Sequence, residues 1–158
     1  MTNTLEASIE IAATPQDVWT IVSDLKRMGE WSPQCRKMRV SGEVREGTKT
    51  FNINRKGLLV WPTTSKVVRF EPNKTIAFRV VENRTVWSYT LEPTATGTRV
   101  VERREAPTGT SKVSQFLIQT VLGGPDAFEA DMVVGMNATL ARIKNAAEAI
   151  STGAVDSR

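Results

Sequence analysis

Proton-transfer chemistry near neutral pH needs a side chain that can hold or release a proton, and this chain offers few. Histidine is absent from all 158 residues. That removes imidazole acid–base work, Ser–His and Cys–His nucleophile pairs, and histidine metal sites. The one cysteine, Cys35, can close no internal disulfide and has no partner base, so it reads as a small, semi-buried residue. A sparse polar set inside alternating segments remains. Tyr89 shares a strand face with Trp87 and Leu91 and should point inward. Glu102 is in phase with Thr98 and Val100; on a buried face its carboxylate needs a partner, and Arg104 two residues on can supply an internal ion pair. Arg69 falls with Ser65 and Val67, and Arg55 with Phe51 and Ile53, as rim positions within reach of a ligand. The same phasing turns Asn52 and Asn54 outward. Arginine or tyrosine in a dry pocket polarises a carbonyl, and a carboxylate or bound water takes a proton. No constellation here names a reaction unaided.

The elements that must position these groups are legible from periodicity. Leu5–Ile11 alternates apolar and polar residues, the pattern of a strand with one buried face. Thr14 and Pro15 supply an N-cap and a first-turn proline for a short helix through Val18, Trp19 and Val22. Asp24 can cap a second short helix over 25–30, closed by Trp31-Ser32-Pro33. From Cys35 the period is two for about 70 residues. Turns punctuate this stretch at Glu46-Gly47, Lys56-Gly57, Glu71-Pro72-Asn73-Lys74, Asn83 and Pro93–Gly97. The regular spacing predicts an antiparallel meander. Gly124-Pro125 then starts a long helix, Asp126–Ile150, about 37 Å long. Phe128, Met132, Gly135, Met136, Thr139, Ile143, Ala146, Ala147 and Ile150 fall on one face; Ala130, Asn137, Ala141, Lys144 and Glu148 fall on the other. Gly153 is placed to stop it. A twisted sheet of this size curls, and only this helix is long enough to cover its concave side.

The fold class is therefore α+β: a curved seven-stranded antiparallel sheet wrapped around one long C-terminal helix, with two short helices after strand 1. Residues 1–153 form one domain, and 154–158 read as a frayed tail. Gly135 either lets backbones pack closely or leaves room for something that is not protein, and helical periodicity admits both. Two apolar stretches flank the expected groove. Val113, Phe116, Leu117, Val121 and Leu122 are nearly unrelieved, either a short helix on the sheet's open end or a lid, and Leu58–Trp61 can form the opposite lip.

Bulk properties narrow the classes. Net charge is +4, but 21 basic residues are interspersed with 17 acidic ones, and no helix carries a basic stripe, so nucleic acid is not an expected partner. No run approaches a membrane span and the first residues lack signal-peptide order, which makes a cytoplasmic protein without stable membrane insertion the expectation.

Pro15, Val18-Trp19, Asp24 and Trp31-Ser32-Pro33 stand at the spacing of the START-like helix-grip superfamily. Trp87-Ser88-Tyr89-Thr90-Leu91-Glu92-Pro93, then Gly97-Thr98-Arg99-Val100, and Met136, Thr139-Leu140 and Ile143-Lys144 add to the match. Over residues 3–150 the chain resembles polyketide cyclase/dehydrase-type (SRPBCC) proteins. The resemblance is specific for fold and weak for function, because the fold hosts carriers, receptors, cyclases and regulators. It implies a cavity between sheet and helix for a hydrophobic ligand, and it implies chemistry without metal or cofactor where there is chemistry.

On these grounds the favoured expectation is a binder of a lipid or polyketide-like molecule. Its cavity would be walled by Phe51, Leu59, Trp61, Phe78, Trp87, Tyr89, Phe116, Met132, Gly135, Met136 and Thr139. An alternative is a cofactor-independent polyketide cyclase/dehydratase in which Tyr89, Glu102 and Arg69 converge on one cavity. A second alternative is a protein-interaction or dimerisation module using the two apolar stretches; the chain would then be a monomer or homodimer.

Overall fold

The computed structural model describes residues 4–106 and 124–153. The expected lid segment with Phe116 and the tail 154–158 lie outside the described residues.

Seven strands form one antiparallel sheet: β1 (Thr4–Ile11), β2 (Cys35–Val40), β3 (Lys49–Lys56), β4 (Leu59–Glu71), β5 (Thr75–Val80), β6 (Val86–Thr94) and β7 (Gly97–Glu105). Their spatial order is β1-β7-β6-β5-β4-β3-β2. Six consecutive strands meander as expected, and β1 closes the far edge by pairing with β7, Leu5 opposite Arg104 and Ile11 opposite Thr98. The turns sit where the sequence punctuates them, with Asn73 accepting a positive φ of 65°.

After β1, helix α1 (Pro15–Val22) starts as predicted: the Asp17 amide donates to Thr14 Oγ1 at 3.2 Å, and Pro15 occupies the first turn. The second short helix differs from expectation. The segment divides into a 3-10 turn, Leu25–Arg27, and a single-turn helix α2 (Met28–Trp31), and Asp24 makes no side-chain capping bond. The exit is organised instead by Ser32, whose hydroxyl accepts the amides of Gln34 and Cys35 at 3.2 and 2.9 Å. Gly29 has no freedom to be anything larger, because a Cβ there would stand 2.3 Å from the Arg36 carbonyl oxygen of β2.

Helix α3 runs Pro125–Ser151. Gly153, at φ +72°, donates its amide to the Ile150 carbonyl and ends it as predicted. The helix packs on β1, α1, α2 and β7 rather than lying evenly along the sheet. Leu140, Ile143 and Ala147 in its C-terminal half are fully buried against Ile11, Val18, Ile21 and Leu25 in one core. Lys144 and Glu148, placed on the outer face by periodicity, latch the helix to the β1–α1 connection. Lys144 Nζ donates to the Glu10 carbonyl (3.0 Å) and to Glu148 Oε2 (2.7 Å), and that carboxylate also accepts the Ala12 amide (3.0 Å). Both side chains are half-buried. The correction follows from position: the outer face near the helix's C-terminus meets free backbone groups at the end of an edge strand, and charged tips satisfy them.

Two glycines on the helical elements should respond oppositely to alanine. Gly29→Ala forces its Cβ into backbone and should destabilise by about 1–3 kcal/mol. Gly135→Ala meets only the Pro33 ring at 3.5 Å, ordinary contact, so removing the helix-interior glycine should stabilise by about 1 kcal/mol. Thermal melts check both: Tm falls for the first and rises by roughly 2–4 °C for the second.

Candidate functional site

Because α3 is anchored at one edge of the sheet, its N-terminal half stands away from β3–β6. A cavity of about 530 Å³ fills the gap, within the range of small-molecule sites (~300–1,000 Å³). One wall is helical: Phe128, Met132, Gly135, Met136 and Thr139. The other is the sheet's concave face, with Trp61, Phe78, Val80, Trp87, Tyr89, Glu102 and Arg104, and the α2–β2 connection closes the end with Met28, Pro33, Cys35 and Met38. At the rim, Lys56 of β3 pairs with Asp131 of α3 across the gap.

Of the residues expected to wall a cavity, Leu59, Trp61, Phe78, Trp87, Tyr89, Met132, Gly135, Met136 and Thr139 are all placed on it. Thr139 spends its hydroxyl on the Gly135 carbonyl one turn back (2.9 Å). Gly135 is not forced by tight packing, since the nearest obstacle to a Cβ is the Pro33 side chain at 3.5 Å. Leu58 is 97% exposed at the turn before β4 and takes no part in the wall.

Phe51 is a correction. It is 45% exposed on the convex face, while Asn52 and Asn54, assigned to the outside, are 3% and 8% exposed on the concave face. The register explains the inversion. Thr50 lies opposite Ser65, Asn52 opposite Thr63, and Asn54 opposite Trp61, so β3 and β4 present matched hydroxyl and amide groups to the interior. They satisfy one another. Thr50 Oγ1 donates to Asn52 Oδ1 (2.8 Å) and pairs with the Ser65 hydroxyl, and Asn52 Nδ2 donates to Thr63 Oγ1 (3.2 Å). A ladder bonded this way removes most of the cost of burying polar atoms. The sequence did carry a signal for it: polar residues at alternate positions on two consecutive strands.

Arg69 is a second correction. The β4–β5 register slips between Val67 and Arg69, with Val67 opposite Phe78 and Arg69 opposite Ala77. That bulge inverts the alternation beyond it. Arg69 is exposed, and Phe70 turns inward against Trp19, ring centroids 5.4 Å apart. The expected convergence of Tyr89, Glu102 and Arg69 does not occur; the arginines that line the cavity are Arg104, which is buried, and Arg55, which is exposed at the rim as its phasing predicts.

Tyr89 and Glu102 do converge. They face each other across β6 and β7, and the Tyr89 hydroxyl donates to Glu102 Oε1 at 3.0 Å. The ion pair expected between Glu102 and Arg104 is absent among the described residues. Arg104 lies over the Phe128 ring, 5.4 Å from its centroid, with Glu129 as a favourable charge; burial holds its pKa below the usual arginine value. Glu102 is thus buried without a compensating charge. Desolvation pushes its pKa up to about 8, against the opposing effect of the Tyr89 hydrogen bond. Burial first, then the neighbouring carboxyl, holds Tyr89 well above its ordinary value. At neutral pH this is a protonated carboxylic acid beside a neutral phenol. Glu102 Oε2 is buried with no hydrogen-bond partner. Cys35, also in the wall, has its thiol pushed up to about 11 by burial and is not a nucleophile at neutral pH. No group of His, Cys, Asp or Glu among the described residues could hold a metal ion, and no described helix is long and apolar enough to cross a membrane.

Solved structures share this architecture. The chain superposes on the di-domain aromatase/cyclase StfQ of the steffimycin biosynthetic pathway with a TM-score of 0.74 at 16% identity, covering 95% of this chain and 52% of that one. It spans about half the length of that protein. The Zhui aromatase/cyclase from a Streptomyces species (strain R1128) gives a TM-score of 0.72 at 19% identity, covering 92% and 93% of the two chains. The polyketide-cyclase-like protein Cgl2372 of Corynebacterium glutamicum gives 0.65 at 28% identity, covering 95% and 94%. Comparison with curated proteins by sequence gives no match. The family described as polyketide cyclase / dehydrase and lipid transport matches residues 2–148, nearly the whole chain, and to that family this protein belongs.

Proposed function

We propose that the protein binds a largely apolar small molecule, a lipid or polyketide-like compound, between α3 and the concave face of the sheet. The observation that carries this reading is the cavity of about 530 Å³, walled by apolar and aromatic side chains and ended by a neutral carboxyl–phenol pair. Apolar walls supply affinity in rough proportion to the area they cover, about 25 cal/mol per Å², while a few fixed polar groups set orientation. Glu102, protonated and hydrogen-bonded on one oxygen only, has a donor to give. Arg104 adds a buried positive charge in the same wall, which suits an oxygen carrying partial or full negative charge. The structural relatives described as aromatase/cyclases support a polyketide-like ligand without naming one.

A second reading, cofactor-independent cyclase/dehydratase chemistry, is favoured by one observation: the Glu102 carboxyl is buried in the cavity wall without a compensating charge, which pushes its pKa up to about 8. In loss of water from a β-hydroxy carbonyl compound, the Glu102 carboxyl in its protonated form would give its proton to the departing hydroxyl as the C–O bond breaks. As the carboxylate it would then take the proton from the α-carbon as the C=C bond forms. Water leaves and the carboxyl is restored. A mass decrease of one water in a bound β-hydroxy ketone with the wild-type protein, absent with Glu102→Gln, would separate enzyme from carrier.

Binding is tested directly by titrating purified protein with the fluorophore 1-anilinonaphthalene-8-sulfonate and by native mass spectrometry of the protein as isolated. The expected result is saturable one-site enhancement, lost when Met132→Trp fills the cavity while the melt remains cooperative. Equal enhancement with both proteins would place the dye elsewhere and overturn the reading.

The state of Glu102 has its own test. The folded protein holds this proton more tightly than the unfolded chain does. The stabilisation is therefore complete below the ordinary carboxyl range near 4.5 and is lost as pH rises through about 8. Glu102→Gln removes the ionisable group but keeps an acceptor for Tyr89. Melting curves of the two proteins should coincide near pH 4.5 and diverge above it, the variant being more stable by up to roughly 3 kcal/mol at pH 7. Parallel curves would mean the carboxyl is already ionised in the fold.

A further inference from the structure

The polar ladder of β3 and β4 leaves two atoms unused, and they are neighbours. Asn54 Nδ2 donates to the Trp61 carbonyl (3.3 Å) and to Thr63 Oγ1 (2.9 Å). A carbonyl only accepts, so this bond fixes the amide's orientation and turns Oδ1 away from the ladder. Thr63 Oγ1 accepts from Asn54 and from Asn52 (3.2 Å), which fills its lone pairs and leaves its own proton to be donated outward. Neither Asn54 Oδ1 nor the Thr63 proton has a partner among the described residues, although both side chains are more than nine-tenths buried and line the cavity. Unlike Glu102 Oε2, Asn54 Oδ1 is not sealed off, so it is reachable by an occupant, and an unpaired acceptor in a largely buried side chain gains by being paired. One acceptor and one donor, side by side on a cavity wall, form a site complementary to a group that both donates and accepts.

From this we infer that Asn54 and Thr63 are a second polar subsite that reads a hydroxyl on the ligand. Thr63 donates to the ligand oxygen, and that hydroxyl's proton goes to Asn54 Oδ1. This subsite is distant from the first. Thr63 is on β4 and Glu102 on β7, three strand spacings apart in the sheet order, or about 14 Å across a flat sheet. Phe78 and Trp87 of the intervening strands stand between them on the wall. The ligand class follows: an elongated molecule with an apolar middle, an acidic or carbonyl oxygen for the Glu102–Arg104 end, and a hydroxyl for the Asn54–Thr63 end. The inference rests on the binding function proposed above and specifies its ligand.

Displacement of 1-anilinonaphthalene-8-sulfonate by two probes, dodecanoic acid and 12-hydroxydodecanoic acid, tests it. In an apolar pocket without the subsite the hydroxy acid binds more weakly, because its hydroxyl is stripped of water and gains nothing. With the subsite it should bind more tightly than dodecanoic acid, by roughly 5- to 50-fold. Thr63→Val should erase that preference, read as the ratio of the two acids' affinities within the same protein, while Thr63→Ser, which keeps the hydroxyl, should retain it. If Thr63→Val fails to fold, the wild-type protein still decides with 12-methoxydodecanoic acid, which accepts but cannot donate and should bind more weakly than the hydroxy acid. Equal or weaker binding of the hydroxy acid by wild type overturns the subsite and leaves the binding function standing. If neither acid displaces the dye, both readings fall.

Discussion

A rigid rod can be held against a curled sheet along only part of its length, and that constraint underlies the rest of this structure. Helix α3 is fixed where β1 and α1 offer a flat apolar surface to Leu140, Ile143 and Ala147. The ends of β1 also offer backbone groups that Lys144 and Glu148 can take. The sheet curves away from there, and the helix does not follow. Its N-terminal half is left facing β3–β6 across open space, and the side chains on it, Met132, Met136 and Gly135 among them, are too few or too small to close it. The latch is partly sheltered, so it fixes register and angle more than it adds stability. The cavity is a consequence of anchoring the helix at one edge.

How far this was legible in the sequence depended on what each pattern encodes. Turn residues and a period of two specify a meander, because both are local and steric. The two short helices, the long helix and its stop at Gly153 are equally local. Which face of a strand is buried is a different kind of information. In β3 the alternation separates Phe51, Ile53 and Arg55 from Thr50, Asn52 and Asn54, but hydrophobicity chose the wrong set, because the polar set is matched by Thr63 and Ser65 on the next strand. Pairing across strands decided burial there, and only register reveals it. Arg69 failed for another reason: one slipped residue at Val67 reverses every assumption made downstream. Tyr89 and Glu102 were legible because no bulge intervenes between β6 and β7.

The two misplaced asparagines matter for function because the concave wall is not uniformly apolar. A cavity that only collected grease would not bury Asn52, Asn54 and Thr63 in its sheet wall. Burial of amides and hydroxyls is tolerated only when hydrogen bonds are made, and it then fixes side-chain positions tightly. The ladder therefore does two things. It makes the β3–β4 wall rigid, and it hands its last unpaired atoms, Asn54 Oδ1 and the Thr63 proton, to whatever occupies the space.

The β7 end of the same wall uses the reverse strategy. Glu102 is given one hydrogen bond, from Tyr89, and no compensating charge, so burial keeps it neutral. An Arg104–Glu102 ion pair would have satisfied both residues and left the wall inert. Seating Arg104 over Phe128 leaves the carboxyl protonated and the guanidinium turned to a different surface. A wall with a neutral acid and a separate cation can meet an oxygen whose charge changes, as a carbonyl oxygen's does when it becomes an enolate. The same pair of groups would also suit a static carboxylate. Carriers and cyclases can thus share this geometry, the difference lying in whether the occupant has an acidic C–H or a leaving hydroxyl within reach of Glu102.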